Sequence, residues 1–318
     1  MRAFHVETPG AQPRIAELET PVPGPGQFGM KIHACGLNFA DLLMVSGTYQ
    51  DTPPTPFILG MEVSGEVTAV GENAESLSIG DRIAVFAGLG GLAEFGVFDA
   101  HRAIAIPDSM SFKHAAAIQI TYGTAHVALS HRAKLQPGET LLVTGAAGGA
   151  GLTAVEIGKV MGARVIAQAR TTEKLAVAQQ AGADHLIDGS ADLRQEVLGL
   201  GGADVVYDTV GGNLFKAAFR AANPEGRLLP IGFAGGDVPQ IAANHLLVKN
   251  ISVLGVYFGG YLAFRPEIVR NSLSTLLDWY EQGRIKPHIS HVLPLNRAQE
   301  GLDLLRNRKS TGKVVITP

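Results

Sequence analysis

The sequence contains a single cysteine, Cys35, among its 318 residues. One cysteine excludes an intramolecular disulfide and a cysteine-rich structural zinc site, and it suits a reducing compartment, so we expect a cytoplasmic protein. The first twenty residues hold no apolar stretch of the kind that a signal peptide needs, so export is not expected. The uncharged run 140–155 is glycine-rich and shorter than the about 20 apolar residues of a membrane helix, so we expect no membrane span.

An excess of charge of one sign is also lacking. Lys and Arg number 26 and Asp and Glu number 29, which gives a formal net charge of -3 with no basic run. A nucleic-acid partner is therefore not expected. The sequence has no HExxH and no GxSxG motif, which argues against a zinc protease and against a serine hydrolase.

Glycines and short apolar runs divide the chain into two kinds of region. Up to about residue 110, strand-like runs are separated by glycine and proline, which predicts a β-rich unit. From about residue 111, strands alternate with helices. The predicted strands are 141–144, 164–167, 205–207, 228–231 and 253–256. This alternation predicts an α/β fold with a doubly wound parallel sheet beside the β-rich unit.

A glycine-rich turn follows the first of these strands. Residues 141–151 read Leu-Leu-Val-Thr-Gly-Ala-Ala-Gly-Gly-Ala-Gly, and a helix is predicted from about Leu152. Small residues allow the backbone to approach a pyrophosphate, which the N–H groups and the positive end of the helix then bind. The candidate contacts are Ala147, Gly148, Gly149 and Ala150. The alternative is a tight strand-to-helix turn without a ligand.

The end of the second strand distinguishes NAD from NADP. An acidic residue there would bind the ribose 2′-hydroxyl of NAD, but the sequence has Gln168 and Ala169 instead. Arg170, Thr171 and Lys174 offer two cations and a hydroxyl to the 2′-phosphate of NADPH. We therefore predict NADPH as the cofactor. The alternative is that Thr171 only caps the next helix and that the two cations are solvated.

Several motifs together resemble the zinc-free medium-chain dehydrogenases/reductases of the quinone oxidoreductase (zeta-crystallin-like) family. They are 35–41 (Cys-Gly-Leu-Asn-Phe-Ala-Asp), 60–67 (Gly-Met-Glu-Val-Ser-Gly-Glu-Val), 70–71, 80–83, the turn at 146–151, and 181–184. The resemblance implies a GroES-like catalytic domain at 1–117, a Rossmann NADPH-binding domain at 118–259, and a return segment at 260–318 that completes the catalytic domain. It also implies an active site between the two domains and a homodimer.

The zinc ligands of related dehydrogenases are missing. Zinc-dependent relatives have a cysteine in place of Asn38 and a Gly-His-Glu in place of 60–62, where this sequence has Met61. An amide, a thioether and Glu62 alone make a poor catalytic zinc site, so we predict no metal. Without a Lewis acid, conjugated acceptors are favoured because they delocalise the charge that the hydride brings.

The predicted catalytic residues are Asn38, Tyr49 and Thr121, which the resemblance implies near the substrate and the nicotinamide. They would donate hydrogen bonds to the developing oxyanion. Asn38 has the alternative role of a helix N-cap, and Thr121 that of a buried helix threonine bonded to its own backbone. Asp41 is interpreted as a brace for the turn at Asn38 rather than as a proton donor.

Further cofactor contacts are implied at the ends of later strands and near the C-terminus. They are Thr121, Val210, Gly232, Phe233, Tyr257 and Arg308, the last reaching the 2′-phosphate. Tyr257 and Phe258 could instead pack in a dimer interface. One departure from the family is Gly189, which follows Asp188 where the family often has a phosphate-binding tyrosine. Asp188 would oppose a phosphate if it faced the site.

The leading functional hypothesis is an NADPH:quinone oxidoreductase whose substrate is a small-molecule quinone or a related conjugated carbonyl. A 2-enal or enoyl-thioester reductase is the alternative within catalysis. An alternative of another class is a non-catalytic NADPH-binding protein with a sensor, structural or RNA-binding role, because the same fold supports such functions. Water could supply the proton, since no strong general acid is evident.

Overall fold

The computed structural model describes residues 1–318. Sixteen strands form three sheets. They are β1 (Arg2–Val6), β2 (Arg14–Glu17), β3 (Gln27–Leu37), β4 (Phe57–Ile58), β5 (Glu62–Val70), β6 (Arg82–Phe86), β7 (Phe95–Asp99), β8 (Ala103–Ala105), β9 (Thr140–Thr144), β10 (Arg164–Ala169), β11 (His185–Asp188), β12 (Ala203–Asp208), β13 (Ala222–Pro230), β14 (Ser252–Val253), β15 (Ile289–Pro294) and β16 (Lys313–Thr317).

Ten α-helices connect these strands. They are α1 (Phe39–Ser46), α2 (Phe112–His126), α3 (Gly149–Val160), α4 (Thr172–Gln180), α5 (Leu193–Gly199), α6 (Gly212–Ala221), α7 (Ala243–Lys249), α8 (Tyr261–Phe264), α9 (Pro266–Glu281) and α10 (Ala298–Arg306). A short π-helical segment, Val127–Arg132, continues α2. None of the helices is both long enough and apolar enough to cross a membrane.

The chain divides into two compact units. Unit 1 comprises Met1–Ile120 and Leu277–Pro318, and unit 2 comprises Thr121–Leu276. The second boundary lies 17 residues after the predicted start of the return segment at 260 (277 − 260). The reason is that most of α9 packs within unit 2, where Ser272 bonds the imidazole of His126 at 2.8 Å and Leu276 is buried.

Unit 1 is the predicted β-rich unit. One sheet has the order β2-β1-β4, and the other has the order β15-β16-β3-β5-β6-β8 with β7 also paired to β3. The last strand, β16, lies between β15 and β3 and runs antiparallel to β3, so the C-terminal segment forms an interior strand of this sheet. Three strands distant in sequence therefore meet at the end of β3.

Unit 2 contains the predicted parallel sheet, with the order β11-β10-β9-β12-β13-β14. All five side chains of β9 are buried, as expected for a central parallel strand with both faces covered. The order reverses between β9 and β12, since β10 and β11 lie on one side and β12 to β14 on the other. Ligands of such sheets bind at the carboxyl ends of the strands at this switch point. The predicted α/β fold class is confirmed.

Candidate functional site

Strand register brings three polar residues of unit 1 to one place. In the pairing of β3 with β5, Gly36 lies opposite Glu62, the first residue of β5. On the other side of β3, Leu37 lies opposite Val314, so Lys313 begins β16 beside the end of β3. Asn38 directly follows β3. The starts of β5 and β16 and the end of β3 therefore lie next to one another.

The Lys313 ammonium uses its three donors in this cluster. Its Nζ lies 2.6 Å from Glu62 Oε1, 2.8 Å from Asn38 Oδ1 and 2.8 Å from the Leu37 carbonyl oxygen. Glu62 Oε1 also accepts from Asn38 Nδ2 at 2.8 Å, and its Oε2 accepts from the Ile120 N–H at 2.8 Å. The side chains of Lys313 and Glu62 are only 2% and 0% exposed. Such burial is tolerated because the pair is closely matched and hydrogen-bonded.

The backbone of β3 leaves room for this carboxylate. A Cβ at Gly36 would lie 2.8 Å from Glu62 Oε1 and 2.3 Å from the Ala116 carbonyl oxygen. The Gly36 carbonyl oxygen also accepts from Asn38 Nδ2, at 3.3 Å. Glycine at this position therefore allows Glu62 to approach, and its carbonyl supplies a second, longer bond to the amide of Asn38.

Asn38 and Asp41 together start helix α1. Asn38 is the N-cap residue, and its backbone N–H donates to Asp41 Oδ2 at 2.7 Å. Burial raises the pKa of Asp41 to about 7, against the lowering effects of the Asn38 N–H and of Lys313. Asn38 occupies the N-cap position while its amide bonds Lys313 and Glu62, and its role as a donor to the substrate stays a prediction. Asp41 makes the bracing contact that the sequence suggested.

Tyr49 lies beyond the opposite end of α1. The helix ends at Gly47, whose φ of 73° places it in the left-handed region and whose N–H donates to the Met44 carbonyl oxygen at 3.0 Å. Tyr49 is half-buried, and its carbonyl oxygen accepts from the Thr52 hydroxyl at 2.7 Å. Asn38 and Tyr49 thus flank one short helix, and their joint role at a substrate stays a prediction.

The residues of unit 1 do not fit a catalytic zinc ion. Asn38 and Glu62 are both bonded to an ammonium, whose positive charge opposes a second cation beside it. Burial raises the pKa of the Cys35 thiol well above its usual value, which disfavours the thiolate that zinc requires. No group of three or more His, Cys, Asp or Glu side chains in residues 1–318 is arranged to hold a metal ion.

In unit 2, the glycine-rich turn joins β9 to α3 as predicted. A Cβ at Gly151 would lie 2.3 Å from the Gly145 carbonyl oxygen, so this close approach requires glycine. The helix begins at Gly149 with Gly148 as its N-cap, three residues before the predicted start at Leu152. Small residues at helix N1 to N3 permit this earlier start, which brings Gly149 and Ala150 into the first turn. The first N–H groups of a helix lack intrahelical partners and suit an anion.

The predicted 2′-phosphate residues lie at the start of α4. Arg170 is exposed, Lys174 is half-buried, and Thr171 caps the helix by accepting from the Lys174 N–H at 3.4 Å. The hydroxyl of Thr171 also bonds the Glu173 carboxylate, which lowers the pKa of Glu173. The capping role of Thr171 is thus present. Glu173 was missed by the sequence reasoning, and it adds a negative charge next to the predicted phosphate contacts.

Asp188 is bonded to its own loop. Its Oδ1 accepts from the Ser190 N–H at 2.9 Å and from the Ser190 hydroxyl at 2.7 Å, and these bonds lower the pKa of Asp188. A Cβ at Gly189 would lie 3.0 Å from the Cα of Arg170, so this loop packs closely against the predicted phosphate segment. The absence of a side chain at 189 permits that contact.

The loops after β12 and β13 are bonded to each other at the switch-point edge of the sheet. The Ala234 N–H donates to the Thr209 carbonyl oxygen at 3.2 Å, and the Gly235 N–H donates to that of Val210 at 2.8 Å. Val210 and Gly232 are half-buried, and Phe233 is exposed. The structure therefore brings together these three predicted nicotinamide neighbours.

The buried carboxylate of Asp208, in the segment predicted beside the nicotinamide, supports this edge. Asp208 accepts from the Gly211 N–H at 2.8 Å and from the Thr144 hydroxyl, and burial raises its pKa. The Thr209 hydroxyl donates in turn to the Thr144 carbonyl oxygen at 2.9 Å. These bonds join the carboxyl ends of β9 and β12.

Four further residues considered in the sequence lie in other elements. Thr121 is a buried residue of α2 whose carbonyl oxygen accepts from the Thr153 hydroxyl at 3.1 Å. Tyr257 is exposed, but β14 ends at Val253, so the predicted strand 253–256 was too long. The Phe258 ring packs against α2 within unit 2, where a Cβ at Gly123 would lie 2.4 Å from it. Arg308 belongs to unit 1, has a φ of 56°, and stays a prediction.

Comparison with known proteins identifies both regions. Residues 24–108 match the family described as alcohol dehydrogenase GroES-like domain, and residues 149–281 match the family described as zinc-binding dehydrogenase. The first match and the solved structures below confirm the predicted GroES-like domain and Rossmann-type domain. The second name refers to a family whose zinc ligands are not reproduced in this chain.

Similar individual proteins extend over nearly the whole chain. The quinone oxidoreductase-like protein 2 homolog of Nematostella vectensis is 43% identical over 300 residues, covering 92% of this chain and 82% of its own. The quinone oxidoreductase of Thermus thermophilus, solved with NADPH, has a TM-score of 0.89 at 31% identity and full coverage of both chains. That of Escherichia coli, also complexed with NADPH, has a TM-score of 0.90 at 27% identity, covering 100% of this chain and 99% of its own.

Proposed function

This chain belongs to the quinone oxidoreductase group of the medium-chain dehydrogenases/reductases, and we propose that it is a zinc-independent, NADPH-dependent reductase of quinones or related conjugated carbonyls. The observation that carries the choice of acceptor is the buried cluster of Lys313, Glu62 and Asn38. In this cluster the cation beside Glu62 and Asn38 is an ammonium rather than a metal ion. An acceptor that delocalises its own negative charge suits such a site.

Unit 2 offers groups for each part of NADPH. The first turn of α3 would bind the pyrophosphate through Ala147, Gly148, Gly149 and Ala150. Arg170, Thr171 and Lys174 would bind the 2′-phosphate, and Arg308 of unit 1 is a further candidate. Val210, Gly232, Phe233, Tyr257 and Thr121 would border the nicotinamide. When bound, NADPH supplies the hydride.

Unit 1 would supply hydrogen bonds to the acceptor oxygen. The phenol of Tyr49 and the amide of Asn38 are the proposed donors, and Thr121 of unit 2 is the proposed third donor. One Asn38 amide hydrogen faces Glu62 at 2.8 Å, while the bond to the Gly36 carbonyl oxygen is longer, at 3.3 Å. A developing oxyanion would replace the second bond because a charged acceptor binds more strongly than a carbonyl.

We also propose a homodimer formed through unit 2. Helix α7 buries none of its side chains, and Leu247 and Val248 are 77% and 74% exposed. Strand β14 is the outer strand of the six-stranded sheet, so its free edge is open to pairing. A second copy is the occupant proposed because a two-fold axis can pair identical edges and apolar helices at once. The cytoplasmic location stays a prediction.

Cofactor oxidation under anaerobic conditions tests the proposed activity. NADPH or NADH is mixed with 1,4-benzoquinone, 9,10-phenanthrenequinone, a 2-alkenal or crotonyl-CoA, with and without a chelator, and absorbance is followed. We expect quinone-dependent turnover that favours NADPH and is unchanged by the chelator. Preference for the alkenal or the thioester would replace quinone reduction with double-bond reduction. Tight NADPH binding without turnover of any acceptor would contradict catalysis.

Tyr49→Phe serves as the matched variant in this assay. It removes one hydroxyl while keeping the ring, so NADPH affinity measured by fluorescence is expected to stay near that of the wild type. Loss of an oxyanion donor lowers kcat by up to about 100-fold. Unchanged kcat in Tyr49→Phe would remove this hydroxyl from the proposed mechanism.

A further inference from the structure

The charges around Asn38 permit only one orientation of its amide. Oδ1 lies 2.8 Å from the Lys313 ammonium, and Nδ2 lies 2.8 Å from the Glu62 carboxylate. A flipped amide would place its NH₂ against an ammonium and its oxygen against a carboxylate, so both contacts would become repulsive. In an uncharged pocket, the two orientations of an asparagine amide differ much less. The ion pair therefore determines which end of Asn38 faces each neighbour.

Stability alone does not explain the buried ion pair of Lys313 and Glu62. A buried ion pair can often be replaced by apolar side chains without loss of stability, because desolvation offsets the Coulomb attraction. Lys313 and Glu62 come from strands 251 residues apart in sequence, and their charged atoms meet at the one amide that follows β3. The arrangement is thus better explained by what it does to Asn38 than by its contribution to folding.

We propose that Lys313 is a positioning residue for the reductase reaction, holding the Asn38 amide with Nδ2 as the atom that donates to the acceptor oxygen. This inference rests on the proposed function. The ammonium at Oδ1 also draws electron density from the amide, which strengthens both N–H donors by the cooperativity of linked hydrogen bonds. Glu62 receives one of these hydrogens, so the hydrogen directed at Gly36 is the one left for the acceptor.

A double-mutant cycle tests whether Lys313 acts through Asn38. Lys313→Met and Asn38→Ala are made singly and together, and kcat and KM are measured with 9,10-phenanthrenequinone. Lys313→Met is expected to lower kcat about tenfold, with little change in the KM for NADPH. In the Asn38→Ala background, the same change should alter kcat by less than about twofold. An equal tenfold loss in both backgrounds would overturn the proposal, because Lys313 would then act independently of Asn38.

Stability and positioning are separated by a second pair of variants. Lys313→Met leaves Glu62 buried without a counter-charge and is expected to lower the melting temperature. Glu62→Gln combined with Lys313→Met removes both charges, so the melting temperature should recover while kcat stays low. If kcat recovered together with stability in the double variant, the positioning role of Lys313 would be refuted. Lys313 would then serve only to balance the charge of Glu62. Lys159→Met, which breaks the exposed ion pair with Asp184, is the control expected to keep kcat.

NMR of side-chain amides tests the contact between Lys313 and Asn38 without any measurement of turnover. In ¹⁵N-labelled protein, the Asn38 Nδ2 signals are those missing from Asn38→Ala. Lys313→Met should shift them more than Lys159→Met does, even if no acceptor is ever reduced; unshifted signals would overturn the positioning role. If no Lys313 variant folds, the wild type decides: Asn38 Nδ2 protons are expected to exchange with water more slowly than those of exposed Asn307, and equally fast exchange would contradict the proposal.

Discussion

Cofactor choice should depend on three charged side chains at the start of α4. Replacing Arg170 and Lys174 by alanine removes two cations that would face the 2′-phosphate. Arg170 is exposed and Lys174 half-buried, so each contact is worth about 1 kcal/mol, the upper range for surface ion pairs. Together they amount to about 2 kcal/mol, or about 30-fold in the NADPH-to-NADH ratio of kcat/KM. NADH kinetics should not change.

A substitution of Glu173 should change the same kinetic ratio in the opposite direction. Its carboxylate is bonded to the Thr171 hydroxyl and would repel a phosphate nearby, so Glu173→Gln is expected to raise the same ratio by about threefold. Steady-state kinetics with each cofactor at fixed quinone give both ratios, and Arg194→Ala on α5 is the control for loss of an exposed cation. A ratio unchanged by the Arg170 and Lys174 substitutions would refute the placement of the phosphate site.

Three further outcomes follow from buried or exposed groups. Gly151→Ala places a methyl group 2.3 Å from the Gly145 carbonyl oxygen, so calorimetry should show a lower melting temperature, and NADPH affinity should fall. The raised pKa of Asp41, about 7, makes the folded state bind more protons than the unfolded state between about pH 4 and 7. The free energy of unfolding should therefore fall by at most about 1.4 kcal/mol per pH unit as pH rises through this window. Urea unfolding at several pH values should show that the free energy of unfolding of Asp41→Asn depends less on pH than that of the wild type. Leu247→Asp combined with Val248→Asp should convert the proposed dimer to a monomer, as measured by the molar mass in light scattering. A molar mass equal to that of a wild-type dimer would exclude the face of α7 from the dimer interface.

Local patterns explain why much of the fold was predictable. The alternation of apolar strands with helices after residue 111 lies within short windows of sequence, and it correctly indicated the parallel sheet. Errors occurred at ends, where patterns are weakest. Helix α3 begins at Gly149 rather than Leu152 because small residues join its first turn. Strand β14 stops at Val253, although the Leu254 N–H still donates to the Leu228 carbonyl oxygen of β13 at 2.8 Å.

Site residues were predictable where a local motif determines their position. The turn at 145–151 and the cap at Thr171 are such cases, since the residues involved are neighbours in sequence. Lys313 and Glu62 could not be paired in this way, because their contact depends on the registers of β16 and β5 against β3. The available signal was indirect: each is a charged residue at the first position of its strand. Glu173 was overlooked because a glutamate in a first helical turn is common.

The identity of the cation beside Glu62 connects the fold with the proposed chemistry. A carboxylate with no exposure needs a positive partner, and here β16 supplies an ammonium. An ammonium can donate hydrogen bonds and orient an amide, but it has no vacant coordination position for a carbonyl oxygen. The proposed reaction would therefore place its negative charge on an acceptor that delocalises it, with hydrogen bonds from Asn38 and Tyr49 as the proposed further stabilisation. Quinones and conjugated carbonyls, the acceptors proposed above, delocalise such a charge through their own π systems.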